Sequence, residues 1–122
     1  MALVLCTGVD RAVMETRKLI LEAAGHAVVV VMDEPSLLDA CNKHQFDVVV
    51  IGQTLASKMK RHIAEIVKAN CSGVKILELY QVHTDKVVKD ADSWLLMPND
   101  LPQEFATRVT ELADQKRKAA EV

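Results

Sequence analysis

Glycine-rich phosphate loops are missing from this sequence. A dinucleotide site needs several closely spaced glycines behind its first strand, so that backbone can approach the pyrophosphate. The stretch TGVDRA supplies Gly8 alone, which reads as a turn residue. A P-loop needs glycines followed by Lys and Ser or Thr, and none occurs. Excess charge is lacking too: the formal net charge is −2 over 122 residues, with acids and bases mixed along the chain. Nothing therefore draws the chain toward nucleic acid or anionic lipid. No apolar run is long enough to cross a bilayer, and the apolar start MALVLC is too short, and without a basic leader, for a signal peptide. The three cysteines, Cys6, Cys41 and Cys71, are odd in number and far apart, which suits unpaired thiols in a reducing cytoplasm. His26, His44, His62 and His83 show no pairing at ligand spacing, so no metal or cofactor is expected. His62 and Glu65 are spaced to meet across one helical turn, but two groups make no metal centre.

What is present is an alternation. Short, continuous aliphatic runs occur at Leu3–Cys6, Ala27–Met32, Val48–Ile51, Val74–Leu79 and Trp94–Met97. Runs of this kind are expected of strands covered on both faces. Helical patterns lie between them. Val9, Val13, Leu19, Ile20 and Ala23 form the apolar side of the first, and Gly25 closes it. Asp33 starts a second, with Pro35 just inside and Leu37, Leu38 and Cys41 turned inward. The third carries Leu55, Met59, Ile63, Ile66 and Val67 on one stripe, with Lys58, Lys60, Arg61 and Lys68 on a solvated face. Glu65 interrupts those bases and no aromatic stands among them, which argues against a nucleic-acid surface. The last helix is capped by Asp100 with Gln103 at capping-box spacing, and buries Leu101, Phe105, Val109 and Leu112. Residues 114–122 have little to bury and are expected to form a frayed helical tail or the start of a linker. Residues 1–122 thus read as a single α/β domain with a parallel sheet.

In such a sheet a functional site lies at the carboxyl ends of the strands. Thr7–Asp10, Met32–Glu34, Gly52–Thr54, Leu79–Gln81 and Met97–Asn99 are the segments in question. LCTGVDR is similar to the cysteine–arginine loop of small tyrosine phosphatases, in which a low-pKa thiolate sits in a ring of backbone N–H groups. It is one residue short of that loop, and Asp10 would put a negative charge into a nest for an anion. Cys6 reads better as a buried strand cysteine. Asp33 and Glu34 read as helix-capping acids.

In LVLCTGVDRAVMETRKLILEAAGHAVVVV, SLLDACNKHQFDVVVIG and DADSWLLMPNDLPQEF, the chain from Leu3 to about Ala113 resembles the receiver domains of two-component response regulators. The resemblance implies a doubly wound, five-stranded parallel sheet in the flavodoxin/CheY-like order 2-1-3-4-5. In receivers two acids that hold Mg²⁺ end the first strand, and here they fall on Thr7 and Gly8. The phosphate-accepting aspartate ends the third strand, and that position is Gly52. The Ser/Thr that senses the phosphoryl group matches Tyr80, and the lysine before a proline matches Met97, followed by Pro98. Asp47 matches a structural acid at the far end of the sheet. Phosphoryl transfer to a carboxylate needs an acceptor oxygen and a cation to neutralise charge, and the substitutions remove both.

The resemblance therefore implies a degenerate receiver, a pseudo-receiver that is not an enzyme and regulates by protein–protein contact in bacterial signalling. The interval between Tyr80 and Met97 is short for the family, which implies a shortened fourth helix and an altered interaction face at Tyr80, Trp94 and Leu95. That face would meet a protein partner or a second copy through the fourth helix, fifth strand and last helix. Two other readings stand beside this one. A small molecule or anion would sit near Gly8, Gly52 and Asn99 if the strand ends form a concavity. A phosphatase-like enzyme would need a low-pKa Cys6 thiolate facing an open loop.

Overall fold

Five runs of branched aliphatics settle into one sheet in the computed structural model, which describes residues 2–97 and 102–121. The strands are β1 (Leu3–Thr7), β2 (Ala27–Val31), β3 (Val48–Ile51), β4 (Lys75–Tyr80) and β5 (Ser93–Leu96). All neighbours are parallel, in the order β2-β1-β3-β4-β5. Four helices cover the two faces: α1 (Arg11–Ala23), α2 (Glu34–Lys43), α3 (Ser57–Asn70) and α4 (Pro102–Glu121). The doubly wound architecture expected from the sequence is the one observed.

Alternation along each strand divides the core into two layers. Leu5, Val49, Ile51, Ile76 and Trp94 face α2 and α3, where Leu37, Ile63, Ala64 and Val67 meet them. Val4, Cys6, Val50, Leu77, Leu79 and Leu95 face α1 and α4, packing on Met14, Leu21, Phe105, Val109 and Leu112. Local signals fix the joints. Gly25 ends α1 at φ +92°, a conformation that a side chain would strain. The Asp33 carboxylate caps α2, accepting from the Ser36 N–H at 2.8 Å. Asp47 accepts from the Leu3 N–H at 2.9 Å at the amino end of the sheet. There Lys116 of α4 donates to the Phe46 carbonyl at 2.8 Å and lies 3.4 Å from Asp47. Beyond Ala113 α4 continues as helix to Glu121, and Lys116 ties it to the chain just before β3.

Two helices turn differently from their apolar patterns. On α1 the inward stripe is Met14, Arg17 and Leu21, while Val9, Leu19 and Ala23 are exposed. On α3 it is Lys60, Ile63, Ala64 and Val67, and Met59 is exposed. Lys60, expected on a solvated face, is 1% exposed. In both helices a long basic side chain takes a core position, and each has a partner there: Glu78 of β4 for Lys60, and Gln53, just past β3, for Arg17. The shortened fourth helix is reduced to one 3-10 turn, His83–Asp85, followed by irregular chain up to β5. Pro98, Asn99, Asp100 and Leu101, named in the sequence reading, lie outside the described residues.

Candidate functional site at the strand ends

β1 and β3 end side by side, with Thr7 in register with Ile51. The Gly52 N–H donates to the Thr7 carbonyl at 3.1 Å. A methyl group on residue 52 would lie 2.8 Å from that same oxygen, 3.4 Å from the Gly8 Cα and 3.5 Å from a guanidinium nitrogen of Arg17. Backbone closes on the space where any side chain at this position would start. Gly52 is therefore a close-approach glycine, and the crossing chain there dictates its lack of a side chain.

The third of those neighbours is the residue that sequence reasoning missed. Arg17 rises from the inner face of α1, is 4% exposed, and donates to the Gln53 side-chain oxygen. Burial lowers its pKa, opposed by the nearby Cys6 and Asp10. The spacing Met14–Arg17–Leu21, which places it on the buried stripe of α1, is the signal in the sequence that could have found it. The remaining groups at this end are committed elsewhere. The Thr7 hydroxyl donates to the Val50 carbonyl at 2.9 Å, and the Asp10 carboxylate caps α1 by accepting from the Val13 N–H at 3.2 Å. Met97 lies against the α1/α4 core layer, and its N–H donates to the Tyr80 carbonyl at 2.7 Å.

These residues do not fit the magnesium ion that a receiver site holds. Thr7, Gly8 and Gly52 contribute no carboxylate, and a guanidinium cation already stands beside Gly52. Among the described residues no three His, Cys, Asp or Glu side chains come together as a metal site, and no buried side-chain nitrogen or oxygen lacks a partner. Cys6 is fully buried, and burial pushes its thiol up to about 12, the opposite of a poised thiolate. A cavity of about 90 Å³ opens next to Gly8, between α2 and α3. It is lined by Thr7, Leu37, Leu55 and Ile63, with Asp33, Glu34 and His62 at its rim, and it does not reach Gly52. His62 approaches Glu34 at 2.9 Å rather than Glu65.

A second concentration of polar groups lies beneath the segment that replaces the fourth helix. Glu78, in the middle of β4, is fully buried. Its carboxylate accepts from Lys60 Nζ at 3.1 Å, the Val87 and Val88 N–H groups at 3.0 Å each, and the Trp94 indole at 3.1 Å. Lys60 completes its shell with the Leu79 and Asp85 carbonyls at 2.8 and 3.0 Å. A helix would satisfy its own amides; irregular chain cannot, and buried amides must find other acceptors. Glu78 supplies them, and Lys60 balances its charge. The Lys86 ammonium lies 4.9 Å from the Tyr80 ring centre and 5.5 Å from that of Trp94, closing the loop over both.

This arrangement corrects the expected interaction face. Leu95 points into the α1/α4 core and is 4% exposed, and Trp94 is half-buried with its indole bonded inward. Leu96, on the same side of the strand as Trp94, is 49% exposed, and Val82, just past β4, is exposed as well. Tyr80 is half-buried, in register with Leu96.

No family model and no curated protein matches the chain. Solved structures do. A CheY-like response regulator receiver domain protein from Methanospirillum hungatei superposes with a TM-score of 0.79 at 17% identity, covering 98% of each chain. The receiver domain of a Francisella response regulator gives 0.76 at 20% identity, over 94% of this chain and 98% of that one. The Thermotoga maritima response regulator TrrA, solved with Mg²⁺ and BeF, gives 0.76 at 16% identity, over 92% and 99%. The fold is that of a receiver domain. At these identities the likeness extends to the fold and no further.

Proposed function

We propose that this chain is a pseudo-receiver: a receiver-fold signalling module that regulates through protein contact without accepting a phosphoryl group at the third-strand position. The observation that carries the reading is Arg17, buried with its guanidinium against Gly52, where receiver chemistry needs an acidic, metal-holding pocket. A cation fixed there repels Mg²⁺, and the Thr7 carbonyl closes the space an acceptor side chain would need. The loss is thus more than a missing aspartate. The site has been rebuilt around a different charge.

The partner in this reading is a protein of a cytoplasmic signalling pathway, met through Tyr80, Val82 and Leu96. Their support is the exposure of Val82 and Leu96 and the register of Tyr80 with Leu96. Among the described residues no helix is long and apolar enough to cross a membrane. The small-molecule reading keeps one observation in its favour, the cavity beside Gly8. Its apolar lining suits a small uncharged ligand better than an anion.

Intact-protein mass after incubation with Mg²⁺ and acetyl phosphate tests the proposal. The expected result is an unchanged mass. A stable, Mg²⁺-dependent phosphoryl adduct overturns it, because some other residue would then be serving as acceptor.

A further inference from the structure

Cys41 and Cys71 stand thirty positions apart in sequence and read there as isolated thiols. The fold brings them together. Cys41 sits in the last turns of α2, and Cys71 is the residue that ends α3, its N–H donating to the Val67 carbonyl. Their sulfurs are 2.7 Å apart, both buried in the core layer under α2 and α3. A disulfide bond is about 2.05 Å long, so a small inward movement of two side chains is enough to join them.

We propose that Cys41 and Cys71 are an oxidisable dithiol that closes to an intramolecular disulfide, joining the end of α2 to the end of α3. The reaction takes two electrons and two protons from the pair. With hydrogen peroxide as oxidant, one sulfur attacks a peroxide oxygen, the O–O bond breaks, and a sulfenic acid forms with release of water. The second sulfur then attacks the first, the S–O bond breaks, and a second water leaves. An oxidised low-molecular-weight thiol performs the same net change by exchange, ending as two free thiols. The opening for either reagent is a cavity of about 550 Å³ at the amino end of the sheet, lined by Cys41, Phe46, Cys71, Ser72 and Lys116.

Three features shape how this pair behaves. Burial, reinforced by the neighbouring Cys41, pushes the Cys71 thiol up to about 12, partly offset by the Lys116 ammonium. The thiolate is therefore scarce, and closure is slow compared with a peroxide sensor of low pKa. Once one sulfur is oxidised, however, the other is already within reach, and the second step has the advantage of an intramolecular reaction. Finally, the loop so closed contains all of β3 and Gly52, so the bond restrains the segment at the centre of the sheet. Cys6 lies in the other core layer, under α1 and α4, and serves as an internal control.

The test treats the full chain with hydrogen peroxide, and separately with oxidised glutathione, then alkylates under denaturing conditions and maps the peptides. The expected product is lighter by two hydrogen atoms, has one alkylated cysteine, Cys6, and yields a Cys41–Cys71 cross-linked peptide. Its melting temperature rises by about 10 °C, as expected for closing a loop of this length in a domain of this size, and dithiothreitol reverses the rise. Cys6→Ser retains all of this, whereas Cys41→Ser and Cys71→Ser each abolish it. Should either of those variants fail to fold, mapping of the parent and of Cys6→Ser decides alone. Three alkylated cysteines after treatment, cross-links between chains, or a bond that includes Cys6 would each overturn the assignment.

Discussion

Two regions of the sheet are each organised by a basic residue from a helix. Where β1 and β3 end, Arg17 places a cation beside Gly52, and its side-chain partner is the neutral Gln53. Beneath the segment between β4 and β5, Lys60 supports Glu78, which in turn holds the amides of that segment. The first fills the space at a strand end, and the second anchors a loop. The difference lies in what the buried charge is asked to hold. Arg17 organises one side chain and a glycine, whereas Glu78 organises a lysine, two backbone amides and an indole. Disturbing the second should therefore cost far more stability than disturbing the first.

The largest effect is expected from Glu78→Ala. It strands the Lys60 ammonium in the core and removes the acceptor for the Val87 and Val88 amides, a loss of about 3–5 kcal/mol. Against a total of roughly 5–15 kcal/mol for a domain of this kind, urea unfolding should show a protein near the limit of folding. The double variant Lys60→Met/Glu78→Leu sharpens the point. If Glu78 serves only as a salt-bridge partner, the apolar pair restores parent stability; if it anchors the loop, a deficit remains because the amides are still unsatisfied. The loop-anchor reading predicts the deficit.

Next in size is Gly52→Ala, where a methyl group must push the Thr7 carbonyl away from 2.8 Å. Overpacking of this sort costs about 1–3 kcal/mol. Gly52→Asp carries the same steric burden and adds a carboxylate that meets Arg17. It is expected to remain unmodified by acetyl phosphate and Mg²⁺, measured by intact mass. Phosphorylation of that variant would show that one substitution restores the chemistry and that Arg17 does not block it. Arg17→Met, by contrast, gives up one bond to Gln53 and relieves a buried charge, so its stability should stay within about 1 kcal/mol of the parent. A loss as large as that of Glu78→Ala would end the contrast between the two regions.

Much of the fold was legible because it depends on local and pattern signals. Five continuous aliphatic runs gave the strands, and Gly25, Asp33 and Asp47 marked joints whose hydrogen bonds or backbone angle the structure shows. What escaped were residues whose role depends on a partner distant in the chain. Arg17 and Lys60 lie on the buried stripes of their helices by spacing, but a basic side chain turns inward only when something there receives it. For Lys60 the receiver was visible: Glu78 interrupts the apolar strand KILELY, and a carboxylate within such a strand requires a counter-charge. The Gln53 that meets Arg17 gives no comparable sign. Leu95, expected on an exposed face, is buried for a simpler reason. Strand alternation offers two phases, and which one is covered depends on how far the 82–92 loop reaches. The two cysteines belong to the same class, being neighbours only through the packing of α2 on α3.

The smallest expected effect concerns a buried ring outside both regions, and it tests whether acid acts on the sheet through them or elsewhere. His26, which follows Gly25, is buried, accepts the Ala2 N–H on Nδ1 at 3.2 Å and approaches the Thr110 hydroxyl at 2.9 Å through Nε2. An acceptor at Nδ1 requires the neutral ring, and burial lowers its pKa from 6.5. A histidine depressed in the folded state binds its proton more readily when unfolded. Its contribution is therefore intact above pH 6.5 and is lost as pH falls through the lower folded value. Unfolding midpoints measured from pH 7.5 downward should decline below 6.5 in the parent and decline less in His26→Gln, whose side chain does not take up a proton. If the two profiles run parallel, the acid sensitivity belongs to another group.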